Sequence, residues 1–123
     1  MADLLEVAGH RCLVVGDDEP PIADVRAATD LIGDALGEDA TVVVVPVGHL
    51  DPSFFELRTG FAGEVLQKAA NYRLKFAVVG DVSEFTAGSA AFHDLVVESR
   101  HSTGYFFVAN LEELAERLAT VHA

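Results

Sequence analysis

The sequence predicts a single α/β domain: a mostly parallel or mixed sheet of four to five strands, covered by about four helices. Three observations predict it. Short β-branched runs alternate with stretches whose apolar residues recur every three or four positions. The run 41–47 is nearly all valine with no polar alternation, the pattern of a strand covered on both faces. The chain has 123 residues, 50% of them hydrophobic and 23% charged, enough for one core without disulfide or metal staples.

Residues 3–8 and 10–15 are short β-prone runs separated by Gly9, forming a hairpin or one bent strand. Gly16, Pro20 and Pro21 punctuate an acidic loop that carries Asp17, Asp18 and Glu19. Ile22, Val25, Ala28, Thr29, Ile32 and Leu36 have helical spacing, so a helix is expected over 22–36, closed by Gly37. The valine strand follows, with Pro46 at its end because proline donates no ladder hydrogen bond. Residues 50–73 read as one amphipathic helix. Asp51 or Ser53 is its N-cap, Pro52 lies in its first turn, and Ser53-x-x-Glu56 has capping-box spacing. Its apolar stripe is Phe54, Leu57, Phe61, Val65 and Ala69, widened by Ala62 and Leu66. Residues 74–79 are the next buried strand, ending at Gly80 and Asp81. A helix is expected over 87–97 with Phe92, Leu95 and Val96 inward. A strand over 105–108 leads to a last helix capped by Asn110, with Leu111, Leu114, Leu118 and Val121 inward.

The net charge of −12 leaves no basic excess to neutralise phosphates, so sequence-independent nucleic-acid binding is not expected. The charge is uneven: residues 1–39 hold ten acidic and two basic side chains, residues 40–123 ten and six. An acidic face of this kind keeps a protein soluble and can also meet a basic partner. Cys12 is the only cysteine, which rules out an internal disulfide, and its apolar neighbours mark it as a small core residue. The opening MADLLEVAG lacks the basic start and long apolar segment of a signal peptide, and no apolar run approaches the ~20 residues of a membrane span. A cytoplasmic protein with no membrane contact is the expectation.

In a sheet of this class, the loops after the strands' carboxyl ends gather on one rim, where ligands bind. That rim collects Asp17, Asp18 and Glu19, then His49 to Ser53, then Gly80 to Ser83. Its carboxylates are oxygen donors suited to Mg²⁺, but no spacing is diagnostic of a metal site, and capping and turn roles account for them. Gly80 to Ser83 lacks the glycine density and lysine of a phosphate loop. The histidines, His10, His49, His93, His101 and His122, form no HxxxH or HxH pair. His49, Asp51 and Ser53 have the residue types of a triad, but they sit together on one loop without a GxSxG elbow. No catalytic residue, metal or cofactor is therefore assigned.

The candidate binding surface lies on 50–73. Gly60 and Gly63 each cost about 1 kcal/mol against alanine inside a helix, which implies close approach by a helix, a second subunit or a ligand. Beside them run Arg58, Thr59, Glu64, Gln67, Lys68 and Asn71, with Glu64 and Lys68 in the favourable order for a surface ion pair. Asp51, Ser53 and Asp81 complete the candidate set from the rim.

The run RTGFAGEVLQK (58–68), then Asn71-Tyr72-Arg73, then FAVVGD (76–81), resembles a small bacterial family known as a domain of unknown function. Glu98-Ser99 and FFV (106–108) extend the likeness, which covers 22–118. Ala69-Ala70 and the turn Arg100-His101-Ser102-Thr103 depart from the family's pattern. This resemblance implies no activity. More distantly, the order of elements is similar to STAS domains, the module of anti-sigma factor antagonists. There a buried strand leads to an aspartate and a phosphorylatable serine, here matched by Asp51-Pro52-Ser53, with Pro52 in place of a small residue. That resemblance implies a switch at Ser53, where a phosphate adds about −1.5 to −2 charge at a helix N-terminus. Three functions are then expected, in this order. The first is a STAS-like regulatory module that binds an unidentified protein through 50–73 and the rim. The second is a small-molecule-binding protein or enzyme with a pocket near Arg58, Glu64 and Asp81. The third is a homo-oligomer, such as a homodimer, packed through Gly60 and Gly63.

Overall fold

The structure, a computed structural model, describes residues 2–121; His122 lies outside them. Strands β1 (Asp3–Val7) and β2 (His10–Val14) form an antiparallel hairpin in which Val7 pairs with His10. Ala8 (φ 49°) and Gly9 (φ 82°) make its two-residue turn, whose left-handed backbone matches the twist of the strands. β2 runs parallel to β3 (Val42–Pro46), β3 to β4 (Lys75–Val79), and β4 to β5 (Tyr105–Val108). The strand order is β1-β2-β3-β4-β5, a mixed sheet by virtue of its first strand.

Among the described residues five α-helices accompany the sheet: α1 (Val25–Gly37), α2 (Phe61–Asn71), α3 (Ser83–Gly88), α4 (Ala90–Ser99) and α5 (Leu111–Ala119). Strands added in one direction through right-handed crossovers lay their helices on one face. On that face Leu13, Val43, Val45, Phe76, Val78 and Phe107 form one core with α1, α2 and α4. The alternate residues, Cys12, Val42, Val44, Ala77, Phe106 and Val108, pack on the other face against Leu114 and Leu118 of α5. This double cover is why four consecutive valines are buried. Burial pushes the Cys12 thiol up to about 11, so it stays a neutral core residue.

The expected boundaries need correction at four places. Ile22 is not helical. It forms a parallel bridge with Leu50, and α1 starts after Asp24, whose carboxylate accepts from the Ala27 N–H at 2.9 Å. Gly37 does not close α1. Asp39 takes the left-handed position (φ 57°), and the Ala40 N–H reaches the Ala35 carbonyl at 2.9 Å. α2 ends the same way: Arg73 has φ 60° and the Leu74 N–H reaches the Ala69 carbonyl at 2.8 Å, a Schellman ending without glycine. The helix expected over 87–97 is divided at Ser89, whose hydroxyl caps α4 at the Phe92 N–H, and α3 precedes it. Asn110 caps α5 through the Glu113 N–H as expected, but Leu111 is 37% exposed rather than inward.

The largest correction is that 50–73 is not one helix. 3₁₀ turns occupy Val47–His49, Pro52–Phe55 and Leu57–Thr59, and α2 begins only after Gly60, which is left-handed (φ 78°). Adjacent aromatics force the break. Phe54 is fully buried against Phe61 and Phe76, while Phe55, whose ring meets that of Phe54 edge-on at 5.4 Å, stacks on Phe85 at 4.0 Å and meets Phe92 edge-on. The Thr59 hydroxyl lies 2.9 Å from the Ser53 carbonyl and 2.8 Å from that of Glu56, which ties the two turns together.

Candidate functional site

The carboxyl ends of β2, β3 and β4 do gather on one rim. The Ile22 N–H donates to the His49 carbonyl at 2.7 Å, and the Asp51 N–H donates to the Ile22 carbonyl at 3.0 Å, so the loops after β2 and β3 are laced together. The His49 ring nitrogen Nε2 lies 3.2 Å from the Glu19 carbonyl. β3 and β4 leave the sheet side by side because Gly80 (φ 136°) has no side chain: a Cβ there would sit 2.9 Å from Val47 Cγ2.

Two Asp-x-Ser turns then mark the rim. Asp51 accepts from the Ser53 N–H at 3.0 Å and from the Ser53 hydroxyl at 2.6 Å. Asp81 accepts from the Ser83 N–H at 2.8 Å. In each turn the serine hydroxyl and N–H hold the carboxyl below its ordinary value of 3.8. The capping box does not form, because the Glu56 N–H donates to the Ser53 backbone carbonyl at 3.2 Å instead of to the Ser53 hydroxyl. The triad does not assemble either, since Ser53 faces Asp51 while His49 faces the Glu19 carbonyl. Ser53 is the second residue of a four-residue 3₁₀ turn rather than the start of an α-helix, so a phosphate there would set its charge beside the Asp51 carboxylate.

The second turn borders an open cavity of about 380 Å³ between β4, β5 and α3, with Asp81, Ser83, Thr86 and Glu113 as its polar lining. Arg58 and Glu64 line no part of it, so the expected convergence with Asp81 is not built. Arg58 stands exposed on the last 3₁₀ turn, and Glu64, Gln67 and Asn71 are exposed along α2. Gln67 donates to Asn71 at 2.9 Å, whereas Glu64 and Lys68 form no ion pair among the described residues. The two glycines have separate explanations. Gly60 supplies a left-handed turn, and around Gly63 an added Cβ would meet nothing within 4 Å. Close approach inside the chain belongs to Gly80 instead, and its only sequence signal was a glycine at the end of a buried strand. Thr86 and Glu113 were missed because only folding brings them to the rim.

Among the described residues no three His, Cys, Asp or Glu side chains come together as a metal-holding group, and no helix is long and apolar enough to cross a membrane. The family model described as Domain of unknown function (DUF4180) matches residues 7–118, and the chain belongs to that family. No curated protein and no solved structure matches it.

Proposed function

We propose that this member of the DUF4180 family is a STAS-like regulatory module that docks a partner protein through the part of the sheet rim that follows β3 and the exposed face of 57–71. One observation carries the reading. The rim's turn-forming groups, Asp51, Ser53 and Thr59, are engaged in local hydrogen bonds within their own turns, while Arg58, Glu64 and Gln67 stand exposed without converging on the Asp81 cavity. An enzyme needs convergent polar groups in a pocket; a docking face needs only an exposed, shaped surface. The STAS-like part is supported by the element order and by the buried β3 that runs into Asp51-Pro52-Ser53. The test is affinity capture from the source cells with three baits. A protein recovered by the wild type and by Asp81→Ala/Ser83→Ala, but reduced at least tenfold with Arg58→Ala/Gln67→Ala, supports docking. Equal recovery by all three baits removes it.

A second reading, a small-molecule site, is favoured by the cavity beside Asp81. Its polar lining would then be Asp81, Ser83, Thr86 and Glu113. A copurifying ligand in native mass spectrometry that is lost in Asp81→Ala/Ser83→Ala would favour it over docking.

A further inference from the structure

The antiparallel start of the sheet leaves one slot of its helical layer empty. α1 packs on β3, α2 on β4 and α4 on β5, each helix delivered by a crossover between parallel strands. β1 and β2 are joined by a two-residue turn, so no crossover lays a helix over β1 on that face. Leu4 pairs with Leu13, which places both on the face that α1 covers, yet Leu4 is left 40% exposed.

Beside α1 on this side run two adjoining hollows of about 220 and 400 Å³, which share Ala2, Glu19 and Asp34. Leu13, Val15, Ile22 and Leu31 give them an apolar floor. They lie on the opposite side of α1 from α2: Ala27, Asp30 and Asp34 line them, whereas Thr29, Ile32 and Leu36 look toward Lys68 and Tyr72. Among the described residues every charged side chain that lines the two hollows is acidic: Glu19, Asp30, Asp34 and Glu38. Arg11 stands at the far end, 4.0 Å from the Glu38 carboxylate. Asp30 and Asp34, one turn apart and exposed, have no ion-pair or hydrogen-bond partner for their carboxylates among the described residues. Like charges at this spacing weaken α1, and a cation held against them relieves the strain on it.

We infer that this trough docks a basic amphipathic helix of a partner protein. The helix takes the slot beside α1 that the β1–β2 hairpin leaves empty, as α2 lies beside α1 on the other side. Its apolar side rests on Leu4 and on the floor at Leu13 and Val15, and its lysines or arginines meet Asp30 and Asp34. With 13 residues, α1 offers a wall of roughly 20 Å, enough for three to four turns. Charge decides the occupant: an acidic helix would meet only like charge along this wall, and so would a second copy of this chain, whose net charge is −12. The face is separate from 57–71, and the inference goes beyond docking there.

The experiment titrates ¹⁵N-labelled protein with a designed leucine/lysine amphipathic helical peptide, and in parallel with a scrambled peptide of the same composition and charge. Saturable shifts confined to residues 2–4, 13–22 and 27–38 are expected with the amphipathic peptide, and binding at least tenfold weaker with the scrambled one. Asp30→Lys/Asp34→Lys weakens binding at least tenfold. Glu112→Lys/Glu116→Lys, the same change of charge on exposed positions of α5, changes it less than twofold. Circular dichroism checks the fold of both, and the milder Asp30→Asn/Asp34→Asn, expected to weaken binding at least threefold, decides the matter if the lysine pair unfolds. The inference is overturned by no saturable shift, by shifts elsewhere, by equal binding of the scrambled peptide, or by equal weakening in both charge reversals, which would mean attraction to net charge alone. Saturation of the same residues by hexylamine as tightly as by the peptide would overturn it in favour of a small-molecule amine site. Arg58→Ala/Gln67→Ala leaves trough binding unchanged, so failed capture through 57–71 removes that reading alone, and failed trough binding removes this inference alone.

Discussion

The chain leaves β3 and β4 by turns of the same local design, and the two exits come to different ends. After β3, Asp51-Pro52-Ser53 is followed at once by Phe54 and Phe55, which bury the turn against two different parts of the core. After β4, Asp81-Val82-Ser83 is followed by Glu84 and a half-buried Phe85, and the turn stays open beside a cavity. The Asx-type turn fixes the direction of the backbone in both. The next two side chains decide whether the turn is structural or available to a ligand. The proposed docking surface would therefore start beyond the first turn, at Arg58, and the alternative small-molecule site would belong to the second.

Substitutions separate the two exits, and the largest effect is expected at Phe54. Phe54→Ala should cost about 3–5 kcal/mol in urea unfolding, the usual range for a fully buried phenylalanine. Phe85→Ala should cost less than half as much; equal costs would mean that both exits are core elements. Next, Gly80→Ala forces a Cβ against Val47 at a positive φ and should cost about 1–3 kcal/mol, the range for strained backbone. Gly63→Ala should do the opposite, gaining up to about 1 kcal/mol, because nothing crowds that helical position. A loss there would restore the close-approach reading. The smallest effects belong to the aspartates. Both carboxyls are depressed in the folded state, so their contribution is present above the ordinary value of 3.8 and lost as pH falls through the lower folded values. Asp51→Asn and Asp81→Asn should each lower the melting temperature at pH 7, Asp51→Asn by more, and each should flatten the acid limb below about pH 4. Melting curves between pH 2 and 7 read both effects. An unchanged acid limb in both variants would mean that neither turn is held by its carboxylate.

What could be read from the residues alone follows the same division. The buried strands were legible because four adjacent valines have one physical explanation, cover on both faces. The break in 50–73 was not, because Phe54, Leu57, Phe61, Val65 and Ala69 fit a continuous helix. The one visible warning was Phe55, apolar and off that stripe, which the fold leaves only 2% exposed. Gly60 was read as a helical position and is the left-handed residue that starts α2. The ending at Arg73 was illegible, since nothing in its side chain announces a left-handed backbone, and at Asp39 the mild preference of aspartate for that backbone was outweighed by the nearby Gly37. On the rim, Asp81 was foreseeable as a strand-end turn residue, whereas Asp51 and Ser53 were foreseeable at the rim but as caps of a long helix. Glu113 reached it from 32 positions beyond Asp81 through two helices and a strand.

The direct test of docking is site-specific photo-crosslinking in the source cells, with a crosslinking residue placed at position 58 in one strain and at position 83 in another. A discrete protein adduct from position 58 and none from position 83 is the expected result. No adduct at position 58, or the same adduct from both positions, would contradict a docking surface that begins beyond the first turn.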